Sequence, residues 1–270
     1  MDFESRTVVV TGGASGIGAA LARRFAKAGA RVCIADHDAA GARAVAGEIG
    51  GLGVTCDVTR EEAVRSLVDE VRTKLGPVDI FVSNAGVARG QPGHAVSADD
   101  DVWTLNWRLH VMAHVYAARA LLPEMIARRS GHLVSVASAA GLLNQIGDAA
   151  YSATKHAAVS FAESLAISHG DDGIDVSVVC PQYVATPLIG LASGDADDVP
   201  GLLTAEEAAA VIVEGVAKKR FLILPHPQVA DYAALRARDP EAWIAGMRKL
   251  RRRTAAADGS LDAAALYRLV

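Results

Sequence analysis

Only 5% of the 270 residues are aromatic, three are cysteine, and no apolar run is long enough to span a bilayer. Each scarcity excludes something. Cys33, Cys56 and Cys180 are odd in number and sit inside apolar runs, which argues against a disulfide framework and for buried thiols in a reducing cytoplasm. A membrane helix needs about 18 uncharged apolar residues or more. The opening, MDFESRTVVVTGG, lacks the basic start and long apolar core of a signal peptide. Basic residues are not in excess: 27 Lys and Arg against 31 Asp and Glu leave a net charge of −4, so no nucleic-acid partner is expected. His110 and His114 share helical i,i+4 spacing, but without the glutamate of H-E-x-x-H or a further ligand they read as packing, and no metal site is expected. What remains is a soluble, cytoplasmic globular chain, 51% hydrophobic and with 25 glycines, long enough for one large domain or two small ones.

Short apolar runs alternate with stretches of helical periodicity. Strands are expected at TVVVTGG (7–13), RVCIAD (31–36), GVTCDV (53–58), VDIFVSNAG (78–86), HLVSVAS (132–138), DVSVVCP (175–181) and FLILP (221–225). Helices are expected between them, including one long helix around 101–128, one over roughly 150–169, and one over 205–219. The last follows Thr204, whose T-x-x-E spacing to Glu207 fits a capping box. Continuous apolar strands joined by helical crossovers predict a doubly wound, mostly parallel α/β sheet of the Rossmann type, with helices on both faces. Residues 1–228 form a single dinucleotide-binding and catalytic domain in this reading, and 229–270 a C-terminal helical extension that packs on the domain or a neighbouring subunit. The segment ASGDADDVPG (192–201) is expected to be a mobile loop, RKLRRRT a solvated basic stretch, and LDAAALYRLV (261–270) a short amphipathic helix.

TGGASGIG (11–18) lies between the first strand and the first helix. Glycines at 12, 16 and 18 let backbone approach a pyrophosphate, and the helix N-terminus presents N–H groups and the positive end of its dipole. Asp36 closes the second strand eighteen residues past Gly18, where a carboxylate accepts hydrogen bonds from ribose hydroxyls and repels a 2′-phosphate. His37, not an arginine, follows it. NAD is therefore expected over NADP.

With TGGASGIG, SNAG (83–86) and YSATK (151–155) in this order, and Ser138 thirteen residues ahead of Tyr151, the chain resembles the short-chain dehydrogenase/reductase family in its single-domain form, from about residue 5 to 225. The resemblance implies a seven-stranded sheet, homodimers or homotetramers, and hydride transfer between a nicotinamide and a small-molecule alcohol or carbonyl. It also implies roles for the Gly-rich loop (Gly12, Ala14, Ser15, Gly16, Ile17, Gly18), for Asp57 and Val58 at the adenine, and for Asn84, Ala85 and Gly86 at the adenosine-side ribose. Pro181, Val184 and Thr186 would lie at the nicotinamide carboxamide, in a run whose usual glycine is here Gln182.

Residues four apart on a helix face the same way, so Tyr151 and Lys155 can share one cleft. A phenol with a pKa of about 10 needs a nearby positive charge to act as a base near neutrality. Lys155 is expected to tune Tyr151 as the general acid/base while Ser138 holds the substrate oxygen. His110 falls where the family usually has an asparagine that backs the lysine through a water; it is either a relay member or a spectator. Substrate contacts are expected from Leu142, Asn144, Gln182, Tyr183 and Leu188. The leading expectation is an NAD-dependent oxidoreductase acting on an apolar secondary alcohol or ketone. The alternative is a catalytically impaired dinucleotide-binding sensor or scaffold of the same fold.

Overall fold

The computed structural model describes residues 1–89, 94–196, 199 and 201–255. Strand β1 (Thr7–Thr11) is buried at every position, and β2 (Arg31–Asp36) at all but its first. Next come β3 (Leu52–Thr55), β4 (Ile80–Ser83), β5 (Gly131–Val136) and β6 (Ile174–Val179), of which β4 and β5 are buried throughout. Two short strands, β7 (Val184–Ala185) and β8 (Leu203–Thr204), pair only with each other, and β9 (Leu222–Ile223) joins the edge of β6. The main sheet is seven-stranded in the order β3-β2-β1-β4-β5-β6-β9, and all its pairings are parallel.

Helices α1 (Gly16–Lys27), α2 (Ala39–Ile49), α3 (Glu61–Leu75), α4 (Asp100–Trp107), α5 (Ala113–Ala127), α6 (Ala149–His169) and α7 (Ala205–Ala217) cover the sheet. The alternation along β1 separates two cores. Val9 packs with Phe81, Leu121 and Leu133 under α3, α5 and α6. Val8 and Val10 pack with Phe25, Ile34 and Ile212 under α1, α2 and α7. Because β1 lies between β2 and β4, the chain order reverses there, and a crevice opens at the carboxyl ends of the strands.

The expected capping box forms: Thr204 Oγ1 accepts from the Glu207 N–H (3.1 Å), and Glu207 accepts from the Thr204 N–H (2.9 Å). Other expectations shift. The third strand ends at Thr55, because Asp57 turns the chain by accepting from both the N–H and the hydroxyl of Thr59. The long helix is interrupted by a π-helical segment, Arg108–Met112, between α4 and α5. Leu109, His110 and Val111 in this segment are all buried. The basic stretch forms the end of α9 (Pro240–Arg253), which follows α8 (Gln228–Arg238), and Arg251, Arg252 and Arg253 are exposed, as expected of a solvated stretch. Of the expected loop at 192–201, Ser193–Ala196 is a 3-10 turn. Residues 197, 198 and 200, and the expected helix at 261–270, lie outside the described residues.

Candidate functional site

The crevice is a cleft of about 960 Å³. It begins at the β1–α1 turn. Gly12 has a φ of +63°, and a Cβ on it would lie 2.7 Å from the Ala85 Cα. A Cβ on Gly18 would lie 2.1 Å from the Gly12 carbonyl oxygen. Only glycine permits this approach of helix to loop. Asn84 sews the turn to the end of β4, its Nδ2 donating to the carbonyls of Thr11 (2.9 Å) and Gly12 (3.1 Å). Ser15 at the N-cap of α1 makes no side-chain cap, leaving the first-turn N–H groups of Gly16, Ile17 and Gly18 for a ligand in the cleft they line. We expect Gly18→Ala to lower unfolding stability by about 1–3 kcal/mol through overpacking against backbone. An unchanged denaturant midpoint would show that the loop is not held against the helix as described.

Asp36 is only 7% exposed and lines the same cleft. Its Oδ2 accepts from the Ala14 N–H and its Oδ1 from the Asp38 N–H, both at 3.0 Å. His37 Nδ1 is 2.9 Å from Oδ1. A carboxylate has about four acceptor sites, so the protein already draws on several of those expected for a ribose. The His37 side chain is 90% exposed, however, and its contact can yield to a ligand. Asp57 and Val58 complete this end of the cleft.

At the other end, α6 carries Tyr151 in its first turn. Asp148 caps that turn by accepting from the Tyr151 N–H (3.0 Å). Lys155, one turn on, is 3% exposed. Its Nζ donates to the Val136 carbonyl (3.1 Å) and lies 5.5 Å from the Tyr151 ring centroid. Ser138, just past β5, accepts from the Ala140 N–H (3.1 Å) and lines the cleft with Tyr151. Burial pushes the Tyr151 phenol up to about 12, with the Ser138 hydroxyl acting in the opposite direction. Burial lowers the Lys155 ammonium to about 8. In the protein alone, desolvation therefore dominates at Tyr151, where sequence led us to expect tuning by Lys155.

His110 is fully buried and packs edge-on to Tyr151, with ring centroids 5.3 Å apart. Its Nε2 accepts from the Val87 N–H (3.2 Å), so the ring proton sits on Nδ1 and faces Thr154 Oγ1 (3.0 Å). Burial first, then the Lys155 charge, hold its pKa well below the usual 6.5. His114 pairs instead with Ser135 (3.0 Å), and among the described residues no three potential ligands gather as a metal would need.

Gln182, Tyr183 and Leu188 line the cleft with Pro181, Val184 and Thr186. Leu142 and Asn144 do not line it. Leu142 packs against a small cluster of Ala139, Leu143 and Val229, and Asn144 is an exposed turn residue with a φ of +102°. Gln145 and Ile146, beyond that turn, take their place, and Gln145 Nε2 donates to the Tyr183 hydroxyl (3.2 Å). Sequence reading missed both, and also missed Asp148, which the N-cap position three residues ahead of Tyr151 would have flagged. For Gln145 we find no comparable local signal.

The family model described as short chain dehydrogenase matches residues 6–195. The chain is 37% identical over 251 residues to the 1-deoxy-11-beta-hydroxypentalenate dehydrogenase of Streptomyces exfoliatus, covering 88% of each protein. It is 34% identical to the epidermal retinol dehydrogenase 2 of Homo sapiens, over 81% of this chain and 73% of that one. Among solved structures, a short-chain dehydrogenase/reductase from Burkholderia phymatum in complex with NAD superposes with a TM-score of 0.81 at 27% identity, covering 90% of this chain and 96% of that one. A 3-ketoacyl-(acyl-carrier-protein) reductase from Brucella melitensis complexed with NADH gives 0.75 at 31% identity, covering 82% and 97%. The cleft geometry and these likenesses agree: the chain belongs to the short-chain dehydrogenase/reductase family of oxidoreductases.

Proposed function

We propose that this protein is an NAD-dependent dehydrogenase that interconverts a secondary alcohol and its ketone on a mainly apolar skeleton, with Tyr151 as general acid/base. The observation that carries the reading is one cleft lined by Ser138, Tyr151 and Lys155 together with the Gly-rich turn and Asp36. The dinucleotide fits on this protein's own features: a glycine cradle that a Cβ would fill, open first-turn N–H groups on α1, and a buried carboxylate at the ribose position. Gly12, Ala14, Ser15, Gly16, Ile17 and Gly18 would hold the pyrophosphate. Asp36 would hold the adenosine ribose, Lys155 the nicotinamide ribose, and Val184 and Thr186 the carboxamide. When bound, the nicotinamide supplies the hydride acceptor or donor and, when oxidised, a positive ring charge.

In alcohol oxidation the Tyr151 oxygen takes the hydroxyl proton, and in reduction it returns one. Ser138 donates to the substrate oxygen as charge builds on it. Lys155 stabilises the phenolate electrostatically and orients ribose. His110 acts as a positioning residue: with both ring nitrogens engaged, it fixes the Val87 loop and the edge of the Tyr151 ring. Val87, Leu105, Leu109, Ile146, Leu188 and Ile189 give the cleft an apolar lining. Relatives named as dehydrogenases of a hydroxypentalenate and of retinol support a hydroxyl-bearing substrate of that kind.

The test is a fluorescence titration with NADH and with NADPH, followed by turnover over a panel of apolar secondary alcohols. We expect at least tenfold tighter binding of NADH, because Asp36 repels a 2′-phosphate. Tighter NADPH binding would overturn the cofactor assignment. Dinucleotide binding without turnover of any alcohol or ketone would favour the sensor reading.

A further inference from the structure

His226 follows the last strand and is 2% exposed. It is 44 residues from the loop it contacts. Its Nδ1 lies 3.1 Å from the Gln182 backbone nitrogen, whose N–H must donate to it. Nδ1 is therefore unprotonated, and the ring proton on Nε2 points at two carbonyls, Tyr183 (3.0 Å) and Gly201 (3.1 Å). Burial lowers the imidazole pKa, which keeps Nδ1 an acceptor. One neutral ring thus ties together the loop after β6, the segment entering β8, and the start of the C-terminal helices. The Tyr183 carbonyl also accepts from the Leu203 N–H (3.2 Å), which continues the β7–β8 pairing. Two residues on, Gln228 Nε2 donates to Gln182 Oε1 (3.2 Å), so the side chain and the backbone of Gln182 are both held from the C-terminal segment. Gln182 and Tyr183 line the cleft, and the Tyr183 hydroxyl meets Gln145 across it.

We propose that His226 is a positioning residue for the substrate side of the cleft, clasping the Gln182–Tyr183 wall to the β8 and α8 segments so that Gln182, Tyr183 and Gln145 present a fixed polar edge to the substrate. The proposal rests on the oxidoreductase reading for its kinetic consequence, and on geometry alone for the clasp. A wall held by hydrogen bonds to a distant segment keeps its orientation only while they persist, and small displacements at such sites carry large kinetic costs. Gln228 is the side-chain partner that holds Gln182 in this device.

The test compares wild type with His226→Ala, His226→Gln and Gln228→Ala, reading kcat, KM and backbone amide exchange at Gln182 and Leu203. Loss of the ring in His226→Ala is expected to raise KM for the alcohol or ketone about tenfold, within the range that a modest misplacement costs. kcat should fall less than KM rises, and NADH affinity should change less than twofold. Exchange at the Gln182 amide should accelerate. A glutamine carboxamide offers an acceptor and a donor to the same partners, so His226→Gln should recover most of the KM. Gln228→Ala, which frees only the Gln182 side chain, should raise KM by a smaller factor and serves as the test if His226→Ala does not fold. Faster exchange with unchanged KM in the Ala variants would reduce His226 to a structural clasp and overturn the positioning role. Unchanged exchange would overturn the clasp. If wild type turns over no alcohol or ketone, the proposed function fails on its own, and the exchange measurement still decides the clasp.

Discussion

Replacing Tyr151 with phenylalanine is expected to lower turnover by about 10²–10⁴-fold, the range a positioned general acid/base supplies. The substitution keeps the ring that packs against His110 and stands near the Lys155 ammonium, and it removes only the phenolic oxygen. Stability and NADH affinity should therefore change little, which separates chemistry from folding. A steady-state assay on the purified variant beside an NADH titration is sufficient. A variant that kept more than a tenth of wild-type turnover would mean that the proton leaves by another group. The pH dependence carries a second expectation. The protein alone holds the phenol up at about 12, so alcohol oxidation should accelerate as pH rises. Any plateau well below 12 measures what Lys155 and the oxidised nicotinamide charge contribute together.

Acidification from pH 7 to pH 5 is expected to cost this protein about 2 kcal/mol of stability for each histidine buried in neutral form. Three such residues stand out. Burial lowers His114 to about 3 and His132 to about 4, and holds His110 well below 6.5. Unfolded, each binds a proton near pH 6.5; folded, each stays neutral to lower pH. The unfolded state thus holds more protons, and stability falls as pH drops below about 6.5 until the folded values are reached. His114 and His132 together give about 4 kcal/mol, a large share of the 5–15 kcal/mol typical of a domain, and His110 acts in the same direction. Carboxylates with ordinary pKa values near 4 contribute mainly at lower pH, so this window reads the imidazoles. His132 adds a structural reason. Its Nε2–H must donate to Ser177 Oγ (2.8 Å), whose own proton goes to the Arg220 carbonyl, and its Nδ1 is buried without a partner. Denaturant midpoints at pH 7, 6 and 5 check the prediction. A flat profile would show that these rings find solvent or partners before unfolding.

The strands that build the sheet were legible because a strand covered on both faces reads as a mainly apolar run, as TVVVT, RVCIAD and HLVSV do. The Gly-rich turn was legible for a related reason: close backbone approach leaves glycine no substitute, and the 2.1 Å separation from a Cβ at Gly18 to the Gly12 oxygen is that requirement in space. Tyr151 and Lys155 were legible because helical spacing puts them on one face. The substrate wall was less so. Leu142 is apolar and close to Ser138, yet the α8 segment draws it into a cluster with Val229. Asn144 is polar, yet it serves a left-handed turn.

Local patterns in the chain were enough to specify the order of the main elements, the parallel sheet and the Gly-rich turn, and to put Tyr151 and Lys155 on one helix face, because each depends on residues near in sequence or on a strict backbone demand. Three matters needed the folded chain. The π-helical turn places His110 against Tyr151 and Thr154 of α6, which no periodicity announces. The desolvation that raises the Tyr151 phenol depends on what packs around it, and Lys155 Nζ is tethered to the Val136 carbonyl. The clasp at His226 joins groups 25 to 44 residues apart. Charge, burial and hydrogen-bond partnership are properties of neighbours in space, and for these residues the neighbours come from distant parts of the chain.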